Sequence, residues 1–190
     1  MSKDRKQIIL QSLAKLLEER DATKVTTASL AKESGITEAA LYRHFPSKRS
    51  IFLELFAFCD ETIFYKVGEI KKEEGIESDE KIRLIFFFFV IFLEKNKGFA
   101  RILSREALGP NEKNVIDAVN QFYERLELSM KQILASQKER IQLTPGIGSH
   151  LITSTMEGII SRFIRNGFKE MPSGYIENYW ALLSRSLFKN

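Results

Sequence analysis

Residues 26–49, TTASLAKESGITEAALYRHFPSKR, contain the pattern that decides the fold of the surrounding chain. Two very short segments, about 27–33 and 38–44, lie on either side of a turn. Gly35 in that turn can adopt the backbone conformations that a tight reversal needs. Thr37 is a good helix N-cap, because its hydroxyl oxygen can accept a hydrogen bond from an unpaired amide of the following helix. The pattern therefore predicts two short helices joined by a glycine-containing turn, which is a helix-turn-helix.

The second helix of this motif carries side chains suited to nucleic acid. In a helix-turn-helix that helix enters the major groove and contacts base edges. Ala39 and Ala40 are small enough to let the backbone approach the bases, and their methyl groups can contact thymine methyls. Tyr42, Arg43 and His44 have polar ends that can reach phosphates or bases. A large residue at position 39 or 40 is expected to keep the helix out of the groove.

Two cations stand where a helix disfavours them. Lys48 and Arg49 lie in the first turn after a predicted cap at Ser47, where the helix dipole favours acidic residues. A DNA phosphate that contacts both the helix start and Lys48 would account for this placement. The alternative is a solvated charge pair that costs a few tenths of a kcal/mol.

The charge of the chain is unevenly distributed. Residues 1–50 hold 10 Lys or Arg against 6 Asp or Glu, whereas the other 140 residues hold 19 against 19. A basic module on a neutral body is typical of a protein that binds a polyanion. An excess of this size can also arise by chance.

Apolar residues recur at helical spacing through most of the remaining chain. The sequence therefore predicts an all-α chain of about nine helices. Beyond the two short ones, predicted helices lie near 9–19, 47–70, 79–97, 99–108, 111–139, 149–170 and 175–188. Gly98, Gly109–Pro110 and the stretch 144–148 are interpreted as breaks or loops.

Four consecutive phenylalanines, Phe86–Phe89, allow two structural interpretations. A short apolar run fits a buried strand, but helical neighbours and a segment of nearly twenty residues favour a buried helix. Their role is also open, because the rings can line a hydrophobic ligand pocket or simply fill the core.

Composition argues against several classes of protein. The chain has 190 residues, 44% of them hydrophobic and 28% charged, which is ordinary for a soluble folded protein. The single cysteine, Cys59, cannot form an internal disulfide, so a cytoplasmic location is expected. The charged N-terminus does not resemble a secretory signal. The most apolar run, 84–93, is about half the ~20 residues that a membrane-spanning helix requires, so we expect no membrane insertion.

Enzyme activity is not expected. His44 and His150 lie far apart in the sequence, and neither belongs to a cluster with the spacing of metal ligands. Ser149 is interpreted as a helix cap, and Cys59 as a packed, unreactive thiol. Asp60–Glu61 point in different directions because they are adjacent on a helix. The sequence predicts no catalytic residues, no metal site and no cofactor.

The octapeptide LYRHFPSK at 41–48 resembles the DNA-binding signature of the TetR family of regulators, and the resemblance covers 5–60. It implies an all-α homodimer with an N-terminal helix-turn-helix domain, here 1–50, and a C-terminal helical dimerisation domain, here 51–190. A symmetric dimer implies palindromic double-stranded DNA with half-sites about one helical turn apart or slightly more. The residues expected to bind DNA are Thr27, Thr37, Ala39, Ala40, Tyr42, Arg43, His44 and Lys48.

The resemblance also implies dimerisation through the last two helices, here 149–170 and 175–188. Each has an apolar stripe that can form the closely packed centre of an obligate interface. The residues expected at this interface are Gly158, Phe163, Trp180, Leu183 and Leu187.

Stretches outside the signature resemble one branch of the family, the nucleoid-occlusion factors. Among them are ILQSLA at 9–14, RIL at 101–103 and SRF at 161–163. This resemblance implies a nucleoid-associated protein that binds the tubulin-like division protein FtsZ and blocks septum assembly over the chromosome. The surface for FtsZ would fall on Phe58, Lys66, Phe88, Lys95 and Asn96, with Ile91 in place of a glycine.

A different function remains open as the alternative. TetR regulators commonly have a hydrophobic ligand pocket, and Phe86–Phe89 could line one. The chain would then be a transcriptional repressor gated by a small hydrophobic effector, which must bind the DNA-incompetent conformation more tightly than the competent one.

Overall fold

The computed structural model describes residues 2–19, 25–105, 108 and 113–189, and regular structure there is helical. Nine α-helices lie within these ranges, as the sequence predicts. They are α1 Ser2–Glu19, α2 Thr27–Glu33, α3 Glu38–His44, α4 Lys48–Lys72, α5 Ser78–Lys95, α6 Lys97–Leu103, α7 Lys113–Ser136, α8 Pro145–Arg165 and α9 Ile176–Leu187. Short 3-10 turns lie at Lys138–Arg140 and Pro172–Gly174. In this part of the chain no helix is long and apolar enough to span a bilayer. The predicted break at Gly109–Pro110 lies outside the described residues.

Two compact units make up the chain. The first contains residues 1–60 and 96–119, and the second contains residues 61–95 and 120–190. The first unit therefore holds α1, α2, α3 and α6 together with the first parts of α4 and α7, so its segments are not contiguous in sequence. A domain boundary at residue 50 stays a prediction.

In the first unit α1 packs against α2, α3 and α6. Leu13 and Leu17 of α1 and Leu41 of α3 are fully buried in its core. Gly98 corrects a prediction, because it lies inside α6 and does not separate two helices. Gly98 lies against the backbone of Ala14, and a Cβ at this position would collide with it. The glycine therefore permits a close helix crossing.

In the second unit α5 packs against α8 and α9. The prediction of a buried helix for the phenylalanine run is confirmed, and the helix divides the four rings. Phe86 and Phe89 are fully buried, with ring centroids 6.1 Å from those of Trp180 and Phe122 respectively. Burying such a ring stabilises the fold by about 1.5–3 kcal/mol relative to leaving it exposed. Half of the run is therefore core.

The predicted loop at 144–148 is wrong, because α8 begins there. The Thr144 hydroxyl accepts a hydrogen bond from the Ile147 amide at 3.3 Å, and Pro145 occupies the first helical position. Proline is favoured at that position, since its missing N–H would be unpaired anyway. Ser149 is not the cap of α8. It is buried one turn further on, and its hydroxyl donates to the Gly146 carbonyl at 3.0 Å.

Candidate nucleic-acid interface and protein-binding surfaces

The helix-turn-helix begins and ends where local capping places it. Thr26 caps α2, since its hydroxyl accepts from the Ser29 amide at 3.1 Å and the Ser29 hydroxyl accepts from the Thr26 amide at 3.0 Å. Thr37 caps α3 as predicted, accepting from the Ala40 amide at 3.2 Å. Gly35 has φ +66°, a value that only glycine adopts readily. The two short helices match the predicted bounds.

One face of α3 is anchored and the other faces solvent. Leu41 and Phe45 are buried, with exposed fractions of 0% and 1%. The opposite face exposes Ala39, Tyr42 and Arg43. The predicted contacts His44 and Ala40 flank this face and are half-buried. The structure therefore brings the predicted α3 residues together on one surface, which a duplex can approach.

Glu38 is a residue of this surface that sequence reasoning does not single out. The Thr27 hydroxyl donates a hydrogen bond to the Glu38 carboxylate at 2.8 Å, which links the start of α2 to the start of α3. The hydroxyl proton of Thr27 is therefore already engaged in the free protein. The signal in the sequence is an acidic residue directly after the Thr37 cap, within a module of net positive charge.

The start of α4 confirms the predicted cap at Ser47. Its hydroxyl accepts from the Ser50 amide at 3.1 Å, and the Ser50 hydroxyl accepts from the Ser47 amide at 3.2 Å. The Lys48 ammonium lies 5.3 Å from the centroid of the Phe52 ring. Contact with an aromatic face stabilises a cation while its hydrogen-bond donors stay available. Lys48 is thus held against Phe52 in the first turns of α4, four residues after α3 ends.

The residues expected to contact FtsZ differ in exposure. Phe58 is 65% exposed, so it is not a core residue. Lys95 is exposed, and Asn96 is half-buried directly before α6. Phe58 and Asn96 belong to the first unit, whereas Lys66, Phe88 and Lys95 belong to the second.

Within the second unit, Lys66 and Phe88 line one groove of about 520 Å³. We call it the α4–α5 groove; its lining residues are Lys66, Glu69, Ile70, Glu73, Ile76, Leu84, Phe87 and Phe88. The Lys66 ammonium forms an ion pair with Glu69 at 3.2 Å. The lining of the groove thus combines apolar side chains with charged ones.

Three residues of the predicted dimer interface are buried within one chain. Phe163, Leu183 and Leu187 are buried inside the second unit, with exposed fractions of 0%, 7% and 1%. They pack within one chain, and their role at a contact between two chains stays a prediction. Trp180 is half-buried against Phe86 in the same core.

Other residues of the last two helices face solvent. On α8 the exposed face carries Ile147, Leu151 and Gly158, and on α9 it carries Leu182, which is 67% exposed. A Cβ at Gly158 would meet no atom of this chain within 4 Å. Gly158 therefore lies on an open helix face, and its predicted place at a dimer interface stays a prediction.

The thiol of Cys59 is packed as predicted. It is 4% exposed, and burial raises its pKa to about 12. Because the thiolate is the reactive form of cysteine, this residue stays unreactive near neutral pH.

Comparison with known proteins matches both halves of the chain to family models. Residues 9–55 match the model of bacterial regulatory proteins of the tetR family. Residues 77–188 match the SlmA-like model of the tetracyclin repressor-like C-terminal domain. The chain is 39% identical to the nucleoid occlusion factor SlmA of Vibrio cholerae serotype O1, over 97% of this chain and 96% of that protein. It is 36% identical to the nucleoid occlusion factor SlmA of Sodalis glossinidius over the same shares.

Solved structures show the same fold at lower identity. One of them is NalD, the secondary repressor of the MexAB-OprM multidrug efflux pump in Pseudomonas aeruginosa. It superposes with a TM-score of 0.77 over the whole of both chains, at 17% sequence identity. The fatty acid degradation regulator FadR from Bacillus halodurans gives a TM-score of 0.78 at 17% identity over 94% of each chain.

Proposed function

The chain belongs to the TetR family and has a SlmA-like C-terminal domain, and from this we propose that it is a DNA-binding nucleoid-occlusion factor. The observation that carries the proposal is the likeness to nucleoid occlusion factors along nearly the whole chain, together with an exposed, capped helix-turn-helix. Family likeness confined to the N-terminal domain would support DNA binding alone. Here the C-terminal domain resembles the same group of proteins.

DNA binding uses the exposed face of α3. Leu41 and Phe45 hold the helix to the core, so Ala39 and Ala40 can lie against thymine methyls in the major groove. Tyr42, Arg43 and His44 reach phosphates or base edges, with the cap residue Thr37 beside them. Lys48 contacts a phosphate at the groove edge.

Two chains pair through the solvent-facing sides of α8 and α9. Ile147, Leu151 and Gly158 recur at intervals that place them on one face of α8, and Leu182 is exposed on α9. Small residues such as Gly158 let two helices approach closely, while the leucines supply the apolar area that a stable interface buries. A two-fold dimer presents two copies of α3, which suits palindromic DNA.

The partner in cell division is FtsZ, and its surface includes Phe58, Lys66, Phe88, Lys95 and Asn96. Exposed aromatic residues such as Phe58 are suited to act as anchors of an interaction hot spot. Lys66 and Lys95 suit the acidic tail that FtsZ proteins carry. Phe88 and Lys66 share the α4–α5 groove, which offers apolar contact area beside a positive charge. Such a complex would act from DNA-bound sites across the nucleoid in the cytoplasm.

The alternative is a transcriptional repressor gated by a small hydrophobic effector. The observation that favours it is the same groove, whose lining includes Phe87, Phe88 and Leu84. Phe86 and Phe89 do not line this groove, and both are buried in the core.

Sedimentation of FtsZ polymers separates the two functions. FtsZ is pelleted with the wild-type protein alone, with its selected DNA duplex alone, and with both. A nucleoid-occlusion factor reduces the pelleted FtsZ, most strongly when DNA-bound. If the DNA-bound protein leaves the pellet unchanged, the division function fails and the ligand-gated repressor becomes the better explanation.

A further inference from the structure

The pair formed by Thr27 and Glu38 places a carboxylate on the surface that the proposed function assigns to DNA. Glu38 is exposed, and one of its oxygens accepts the Thr27 hydroxyl proton at 2.8 Å. Among the described residues, no Lys or Arg forms an ion pair with it. The hydrogen bond holds the side chain in place, and Glu38 is exposed next to Ala39 in the sequence, which is also exposed.

A carboxylate held in one position near DNA is unfavourable unless a base donates a hydrogen bond to it. Phosphates repel it, and each acceptor on a base edge adds to that repulsion. Guanine presents N7 and O6 and thymine presents O4 in the major groove, all of which are acceptors. Adenine has an N6 amino donor, but its N7 acceptor lies beside it. Cytosine presents only its N4 amino group.

From this we propose that Glu38 reads a cytosine in each half-site, by accepting a hydrogen bond from the cytosine N4 amino group. The inference rests on the proposed DNA-binding function and extends it to a specific base. Thr27 acts here as a positioning residue for the carboxylate. This role differs from that of Lys48, whose phosphate contact is the same for every sequence.

Substitution of Glu38 by glutamine tests whether the carboxylate selects the base. Glutamine has nearly the same shape, and its amide oxygen can still accept from Thr27. Its amide can also both donate and accept, which is the combination that pairs with adenine N6 and N7. Glu38→Gln is therefore expected to change the preferred base at one position from cytosine to adenine, whereas Glu38→Ala loses preference there.

The experiment selects binding duplexes from a randomised pool with the wild-type protein, and then measures affinity for all four base pairs at each half-site position. We expect one position where replacing cytosine weakens wild-type binding roughly ten- to a hundred-fold. Glu38→Gln favours adenine at that position, and Glu38→Ala binds all four base pairs within a few-fold. Glu33→Gln is the matched control, because Glu33 is exposed at the end of α2 and pairs with Lys15 at 2.6 Å.

The possible results are distinguishable. If both Glu38 variants keep the wild-type base preference at every position, Glu38 does not read a base and the Thr27 bond only joins two helices. A uniform loss of affinity over all sequences, with native thermal unfolding, overturns the inference in the same way. If the wild-type protein selects no sequence from the pool, the proposed DNA-binding function itself fails.

Discussion

Gly98 of α6 lies directly against the backbone of Ala14 in α1, so closely that a Cβ built on the glycine stands 2.5 Å from the Ala14 carbonyl oxygen. A Cβ in a folded protein does not come so close to another heavy atom, and the Ala14 oxygen belongs to the backbone, so it cannot rotate away as a side-chain atom can. The crossing of these two helices therefore depends on the missing side chain. It also ties α1, which packs against α2 and α3, to a helix from the later part of the chain.

Gly98→Ala is expected to destabilise the protein by about 1–3 kcal/mol, because the added methyl group overpacks the crossing. Chemical denaturation followed by circular dichroism measures the change. Gly68→Ala is the matched control, since Gly68 lies inside α4 and a Cβ there meets no atom within 4 Å. Alanine favours helix, so the control should gain about 0.5–1 kcal/mol. Equal stability of the two variants would contradict the close crossing.

Removing the charge of Lys48 should weaken binding to every DNA sequence alike. Lys48→Ala loses one phosphate contact, so the slope of log affinity against log salt concentration should fall by about one. Titration of a selected duplex and a random duplex over a range of salt concentrations measures both effects. Lys131→Ala removes a charge from the exposed side of α7 and serves as the control. An unchanged salt slope in Lys48→Ala would show that α4 does not dock on the phosphates.

The dimer prediction concerns the exposed leucine of α9. Leu182→Lys should shift the protein from dimer to monomer in sedimentation equilibrium, because Leu182 is 67% exposed in one chain and would be buried between two. Leu128→Lys is the matched control, since Leu128 is 52% exposed on α7. The control should remain dimeric. A wild-type protein that sediments as a monomer at every concentration would refute the interface altogether.

Reversing two charges tests the surface for FtsZ. Lys66→Asp combined with Lys95→Asp should abolish the effect on FtsZ pelleting while folding and DNA affinity stay nearly intact. Both side chains are exposed, and surface substitutions usually change stability by less than about 0.5 kcal/mol. The exposed ion pair of Lys66 with Glu69 contributes at most about 1 kcal/mol.

The control for this double variant is Lys131→Asp with Lys138→Asp, which changes the net charge equally on exposed residues of α7 and the following turn. It should act on FtsZ as the wild type does. If both double variants lose the effect equally, general charge attraction explains the binding and the assigned surface is wrong.

Local patterns in the chain are enough to predict the helix-turn-helix. The caps at Thr37 and Ser47 and the turn at Gly35 each depend on atoms within a few residues of one another. The same is true of the anchored face of α3, whose apolar residues recur at helical spacing. A sequence shows such short-range relationships directly, and the signature at 41–48 then identifies the family.

Contacts between distant residues decide what the local patterns leave open. In the sequence Gly98 resembles a helix break. Its contact with Ala14 is not visible there, because Ala14 lies 84 residues away in the chain. Phe163 and Leu187 belong to apolar stripes, but a stripe does not reveal whether its own chain or a second chain covers it. The Glu38 carboxylate is held by a hydrogen bond from the Thr27 hydroxyl, and Thr27 lies on another helix. Each of these depends on which surfaces meet when the helices pack, and helical periodicity alone does not determine that.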